Sequence, residues 1–161
     1  MPPSWFERRL IVCVGGGGVG KTTVSAAIGL AAALAGRRVL VLTVDPARRL
    51  AGALGLPTLP AQPAPVPASA LAAAGLPPTL ALSAMMLDQP SAWDRLLARH
   101  ASAEVRRRLM ASRFYQVLSR RFAGTTEYLA IDELAELAGA GQYDLLVLDT
   151  PPGERAIELL D

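Results

Sequence analysis

Continuous apolar runs alternate with helical patterns along the first part of the chain. Leu10 to Val14 and Arg37 to Asp45 each contain an apolar run rich in β-branched residues, which is typical of a strand buried on both faces. Between them, Lys21 to Ala35 has the pattern of a helix, and Gly36 follows as a C-terminal stop. This order predicts a βαβ unit with a right-handed crossover in a parallel sheet.

The rest of the chain continues the alternation. Leu80 to Leu87 and Tyr143 to Asp149 predict two further strands. The residues between these strands predict three helices, at 91–100, 103–122 and 126–138, the first of which opens with Ser91 and Asp94 spaced as a capping box. We therefore predict an α/β fold of three layers, in which a parallel sheet is flanked by helices.

The segment 57–67 interrupts this alternation, because it holds five prolines in eleven residues. Proline removes a backbone donor and is excluded from helix interiors and central strands, so we expect an extended surface loop. A ligand for a proline-recognition module is the less favoured alternative. With 161 residues, the chain is long enough for a single domain, 1–161, that contains this loop.

Composition limits the function classes. A single cysteine, Cys13, excludes an internal disulfide and any metal site built on paired cysteines.

The apolar stretches are too short for a bilayer span or a signal peptide, so we expect a cytoplasmic protein. Arg106, Arg107 and Arg108 favour a solvated helical face over a nucleic-acid interface, since apolar residues flank them. We therefore expect no nucleic-acid partner.

A glycine-rich motif lies between the first predicted strand and the first predicted helix. It satisfies G-x-x-x-x-G-K-[ST], the phosphate-binding loop in which backbone amides hold phosphate oxygens. The chain has fifteen arginines but one lysine, and this lysine, Lys21, completes the motif. We predict a nucleotide-binding loop formed by Gly15, Gly16, Gly17, Gly18, Val19, Gly20, Lys21, Thr22 and Thr23.

Two aspartates end predicted strands at the same edge of the sheet as this loop. In parallel sheets, ligands bind at the carboxyl ends of the strands. Asp149 suits a role at Mg²⁺, and Asp45 could orient or deprotonate an attacking water. A helix-capping carboxylate is the alternative for each. Lys21 and Asp45 are the candidate catalytic residues, and the candidate metal ligands are Thr22, Asp45 and Asp149.

Three segments together resemble the nucleotide motifs of the anion-transporting ATPase family: "GGGGVGKTT", "TVDPARRL" and "DTPPGERAIELL". The family contains arsenite-pump and tail-anchored-protein targeting ATPases and belongs to the P-loop class of ParA and MinD. The resemblance implies ATP and Mg²⁺ as ligands, with Asp45 in the first switch and Asp149 in the second. It also implies a homodimer through the nucleotide face, and a membrane-protein or client partner.

The sequence departs from this family in three ways. Gly16 stands where members carry a lysine that crosses the dimer to the partner's phosphates, and the metalloid- and zinc-binding cysteines have no counterpart. Members are also longer than this chain, which suggests a fragment, a truncated product or a minimal member comprising the N-terminal half of the family domain. Two hypotheses follow: a Mg²⁺-dependent ATPase, or a nucleotide-binding regulatory module with little hydrolysis. A GTPase of the signal-recognition type would read D-T-A-G where this chain reads "DTPPG".

Overall fold

The computed structural model describes residues 4–112 and 125–151 and contains one five-stranded sheet. The strands run in the spatial order β1-β5-β2-β4-β3, and all pairings are parallel except that of β3 with β4. Their bounds are Leu10–Cys13 (β1), Val39–Thr43 (β2), Ala64–Pro65 (β3), Leu82–Met86 (β4) and Leu145–Asp149 (β5). The predicted α/β class is confirmed, with one antiparallel edge strand added to a parallel sheet.

Helices cover both faces of the sheet. Their bounds are Lys21–Leu34 (α1), Arg49–Ala53 (α2), Ala68–Ala73 (α3), Gln89–His100 (α4), Ala103–Ala111 (α5) and Thr125–Gly139 (α6), and a 3₁₀ turn spans Ser4–Glu7. The sequence pattern predicts no helix at α2 or α3, because five or six residues are too few to display a helical period. No helix within the described parts of the chain is long and apolar enough to cross a bilayer.

The central strand β2 divides the interior into two cores. Val39 and Val41 pack against α1, α2 and α3 on one face, whereas Leu40 and Leu42 pack against α4 and α6 on the other. All five residues of β2 are buried, because neighbouring strands flank it and helices cover both of its faces. This arrangement is the three-layer architecture that the sequence predicted.

The burial expected for β1 is wrong. The apolar run predicted a strand covered on both faces, but Leu10 is 45% exposed and the other three residues are only half-buried. Within the described residues, β1 pairs with β5 alone and forms an edge of the sheet. An edge position leaves part of a strand uncovered even when its sequence is continuously apolar.

The proline-rich segment also differs in part from the expected surface loop. Ala64 and Pro65 form the short strand β3, and the flanking Leu59 and Val66 are buried. Proline is tolerated in an edge strand because its missing N–H can face away from the ladder. The segment therefore closes one side of the first core as well as connecting α2 to α3.

The predicted capping box is wrong as well. Helix α4 begins at Gln89, and its N-cap is Asp88, whose carboxylate accepts a hydrogen bond from the Ser91 N–H at 3.1 Å. An aspartate at the N-cap, with Pro90 in the first turn, starts the helix before the predicted Ser91–Asp94 pair. The next predicted helix, 103–122, is confirmed as far as Ala111, and residues 113–122 lie outside the described part of the chain.

Helix α1 lies unusually close to the sheet at Gly29. A Cβ atom built on Gly29 would clash with Cγ2 of Val41 and would stand 3.6 Å from Cδ1 of Leu82. Glycine at this position therefore sets the distance between the helix that follows the glycine-rich loop and the strand that precedes Asp45.

We expect Gly29→Ala to destabilise the fold by about 1–3 kcal/mol, because the added methyl group must displace a buried valine side chain. Urea unfolding monitored by circular dichroism measures the change. Gly52→Ala in α2 is the matched control, since a Cβ there meets no atom within 4 Å. The control is expected to be neutral or to gain up to about 1 kcal/mol. Equal stability of the Gly29 variant and wild type would contradict the close contact.

Candidate nucleotide-binding site

The glycine-rich loop connects the carboxyl end of β1 to the amino end of α1. Gly20 is the N-cap of the helix and has a φ of +87°. Residues other than glycine adopt this left-handed backbone conformation only at a cost in free energy. The first intrahelical hydrogen bond runs from the Val24 N–H to the Gly20 carbonyl, and no side chain caps the helix. The earlier amides of α1 are therefore outside the helical ladder, and the helix dipole adds partial positive charge there.

A cavity of about 500 Å³ lies against this helix end, a volume within the usual range of small-molecule sites. It is lined by Gly18, Gly20, Lys21, Thr22, Thr23 and Arg49. The remaining predicted loop residues, Gly15, Gly16, Gly17 and Val19, belong to the same loop without lining the cavity, and Val19 is 66% exposed. Within the loop, Lys21 Nζ donates a hydrogen bond of 2.7 Å to the Gly16 carbonyl.

Asp149 is completely buried beneath this cavity, and three hydroxyl groups surround its carboxylate. Oδ2 accepts from Thr22 Oγ1 at 2.9 Å and from Thr43 Oγ1 at 3.1 Å. Ser25 Oγ lies 3.4 Å from Oδ1 and shares its one proton between Oδ1 and the Lys21 carbonyl, which is 2.9 Å away. Burial raises the pKa of Asp149 above 3.8, and the hydrogen bonds from Thr22, Thr43 and Ser25 oppose this rise. The carboxylate is thus held by donors from α1 and from the neighbouring strand.

The fold explains why these groups meet. Thr22 and Ser25 are three residues apart and so lie on one face of α1. Thr43 is the register partner of Asp149 across the β2–β5 ladder, and Cys13 is its partner across β1–β5. Because all three strands are parallel and end at the same level, the end of β5 is enclosed on both sides.

Asp45 lies two residues beyond the end of β2, in a turn. Its Oδ1 accepts from the Ala47 N–H at 2.9 Å, its Oδ2 accepts from Arg49 Nη1 at 3.2 Å, and its own N–H donates to Thr43 Oγ1 at 3.1 Å. The Thr43 hydroxyl therefore touches both aspartate segments. Within residues 4–112 and 125–151, no three His, Cys, Asp or Glu side chains gather as a metal cluster.

Four polar residues of this site are not among those that the sequence predicts: Ser25, Thr43, Arg49 and Thr150. Ser25 and Thr43 could have been found, since one follows Thr22 at helical spacing and the other ends the strand beside β5. Thr150 donates from Oγ1 to the Cys13 carbonyl at 2.8 Å and thereby fixes the ends of β5 and β1 together. Nothing local in the sequence signals that Arg49 lines the cavity.

Comparison with known proteins identifies the family of the chain. The sequence model of the family described as anion-transporting ATPase matches residues 8–161. The chain belongs to the anion-transporting ATPase family. Its five-stranded α/β domain, with a glycine-rich loop before α1, is accordingly a P-loop NTPase domain of this family.

Three relatives illustrate the relationship. An uncharacterized protein of Streptomyces coelicolor, SCO2128, is 35% identical over 154 residues, which is 94% of this chain and 36% of the relative. The putative arsenical pump-driving ATPase of Chlorobaculum tepidum is 30% identical, covering 94% and 35%, and the ATPase GET3 of Malassezia globosa is 29% identical, covering 94% and 41%. The chain thus spans little more than a third of the length of the relatives it matches.

The buried Asp149 predicts a specific pH dependence of stability. The pKa of the Asp149 carboxyl group is raised in the folded state, so as the pH rises above 3.8 the unfolded chain loses the carboxyl proton before the folded chain does. The free energy of unfolding of wild type therefore falls relative to that of Asp149→Asn. The difference in the free energy of unfolding between the two proteins becomes constant once the pH exceeds the pKa of Asp149 in the folded state. Urea unfolding of both proteins from about pH 4 to pH 8, without divalent ions, measures this difference. A gain in the relative stability of wild type with rising pH would contradict this assignment.

Proposed function

We propose that the chain binds ATP with Mg²⁺ at the glycine-rich loop and hydrolyses it to ADP and phosphate. The observation that carries this proposal is the cavity at the uncapped N-terminus of α1, directly above the Thr22–Asp149 pair. Family membership supports an ATPase in general terms. Because the chain spans only part of its relatives, the activity of the whole protein is part of the same proposal.

Phosphate binding would use groups already in place. The amides at the start of α1 and the helix dipole favour an anion, and Lys21 can exchange the Gly16 carbonyl for phosphate oxygens. The exchange is favourable because a carbonyl carries only partial charge, whereas a triphosphate carries several full charges.

The oxygen donors beside the cavity fit Mg²⁺. Thr22 Oγ1 and Asp149 Oδ2 are hard oxygen ligands 2.9 Å apart, and Mg²⁺ is commonly held in proteins by a few such oxygens together with phosphates and waters. Thr22 and Asp149 would hold the ion, and when bound it would supply positive charge that neutralises the charge developing on the phosphates in the reaction. Asp45, the third candidate ligand, lies in the turn after β2 and is linked to the hydroxyl cluster around Asp149 only through its own N–H and Thr43, so we assign it to the attacking water rather than to the metal.

In hydrolysis, Asp45 would accept a hydrogen bond from the attacking water and orient it. The water oxygen forms a bond to the γ-phosphorus, the bond from that phosphorus to the bridging oxygen breaks, and the water proton leaves to solvent or to phosphate. The hydrogen bond from the Asp45 N–H to Thr43 links this turn to Asp149. The two aspartate segments could therefore respond together to the state of the nucleotide.

The competing function is a nucleotide-binding regulatory module that barely hydrolyses. Gly16 favours it, since the family lysine at this position is absent and a homodimer through the nucleotide face would lack that charge. Relatives named arsenical pump-driving ATPase suggest a membrane-protein partner, which together with a cytoplasmic location stays a prediction for this chain. Phosphate release by the purified chain decides between the two functions.

Lys21→Ala is expected to weaken ATP–Mg²⁺ binding tenfold or more. An ammonium group near 4 Å from a phosphate charge contributes roughly 4 kcal/mol at an effective dielectric constant of 20, before desolvation. Isothermal titration calorimetry measures the affinity. Arg108→Ala removes an exposed cation from α5, away from the cavity, and should leave the affinity unchanged. Unchanged binding by the Lys21 variant would refute the phosphate-loop assignment.

Asp45→Asn is expected to lower the rate of phosphate release by a factor of about 10² while ATP still binds, because a neutral amide holds and orients the attacking water less well than a carboxylate does. Asp144→Asn is the matched control. Asp144 pairs with Arg38 at the opposite ends of the strands, so its loss should leave the rate unchanged. Equal rates for wild type and both variants would argue against Asp45 as the water-orienting residue.

A further inference from the structure

We propose that Arg49 binds the γ-phosphate of the nucleotide and, in doing so, releases the carboxylate of Asp45. This inference rests on the proposed function and assigns a new role within the same site. Arg49 comes from α2, whereas the other described residues that line the cavity belong to the glycine-rich loop or to α1. Among residues 4–112 and 125–151, Arg49 thus reaches the cavity from an element of its own.

The hydrogen bonding of Arg49 leaves most of its donors available. Its side chain is 60% exposed, and Asp45 is its single partner among the described residues, through one contact of 3.2 Å from Nη1. A guanidinium group carries five N–H donors in a planar fork that matches phosphate oxygens. One donor is therefore used by Asp45, and the others are free for a ligand in the adjoining cavity.

The neighbouring cations are placed differently. Arg48 lines a separate cavity of about 230 Å³ behind the Asp45 turn, together with Thr58 and Met86, and does not line the nucleotide cavity. Lys21 approaches the nucleotide cavity from the start of α1. Lys21 and Arg49 are therefore the two cations that line this cavity within the described residues, and they come from different elements.

The partner of Arg49 indicates which phosphate it would meet. Asp45 is the carboxylate that we assign to the attacking water, and that water must lie beyond the γ-phosphorus. A guanidinium group in contact with Asp45 is consequently on the γ side of the phosphate chain, whereas the amides of the loop and of α1 hold the rest. We therefore expect Arg49 to distinguish ATP from ADP.

Binding of phosphate would compete with the ion pair. A single contact between a half-exposed arginine and a carboxylate is weak, and a triphosphate offers more charge and two oxygens at once. When Arg49 turns to the phosphate, Oδ2 of Asp45 loses its partner and can accept a hydrogen bond from water. Binding of the γ-phosphate by Arg49 would thus free Asp45 to bind the attacking water, and both events would occur within one copy of the chain.

Calorimetric titration of the full chain with ATP–Mg²⁺ and with ADP–Mg²⁺ tests the γ-phosphate contact. Arg49→Ala should weaken ATP binding about tenfold and change ADP binding less than about threefold, since a hydrogen bond to a charged group is lost only with ATP. Arg49→Lys should recover part of the ATP affinity, because lysine restores the positive charge but not the planar set of N–H donors of the guanidinium group. Arg108→Ala, which breaks the Glu104–Arg108 pair of the same spacing, should change neither affinity.

The outcomes separate this inference from the proposed function. Wild type that binds neither nucleotide would refute the proposed function. If wild type binds ATP and depends on Lys21, while Arg49→Ala keeps the wild-type ratio of ATP to ADP affinity, the Arg49 inference alone is wrong. A lower rate of phosphate release with an unchanged affinity ratio would mean that Arg49 only holds Asp45, which also overturns the γ-phosphate contact.

The release of Asp45 has its own test. Asp45→Ala removes the competitor for Arg49, so it should tighten ATP binding severalfold in the wild-type background and distinctly less in the Arg49→Ala background. The four proteins are compared without Mg²⁺, so that no metal contact of Asp45 enters, and circular dichroism checks their folding. An equal gain in both backgrounds would overturn the release.

Discussion

The site depends on one buried carboxylate, that of Asp149, and on the hydroxyl groups that surround it. A charge removed from water is costly unless hydrogen bonds replace the lost solvent. Here the donors come from α1 and β2, so the end of β5 can be buried only when the helix and the neighbouring strand are correctly placed. The polar contacts of Asp149 therefore join the glycine-rich loop, the sheet and the Asp45 turn into one unit.

Much of the fold follows from patterns that are local in the sequence. The continuous apolar runs identified four strands, and the glycine motif fixed the strand–loop–helix order that places Lys21 and Thr22. The burial of a strand, however, depends on its neighbours, which is why the similar runs of β1 and β2 differ so much in exposure. The short helices and β3 escaped detection because they depend on packing rather than on periodicity.

The site was predictable in its motif residues and only partly in the groups between them. The two aspartates, Lys21 and Thr22 follow from motif spacing together with the rule that ligands bind at the carboxyl ends of parallel strands. Thr43 requires knowledge of the register between β2 and β5, which no short stretch of sequence contains. Arg49 requires the path of the chain after β2, since only the contact between α1 and α2 brings it to the cavity.

The close approach of α1 to the sheet at Gly29 divides the site into a fixed wall and an adjustable one. Direct contact with Val41 leaves no gap in which the helix could slide, so the amides at its start form a rigid reference for any bound anion. The opposite wall, from Asp45 to Arg49, is exposed apart from the half-buried Asp45. It is held by the hydrogen bonds of Asp45 with Thr43, Ala47 and Arg49 and by the backbone bond from Arg48 to Pro46. We therefore expect a bound ligand to displace that turn relative to α1 rather than to shift α1 against the sheet.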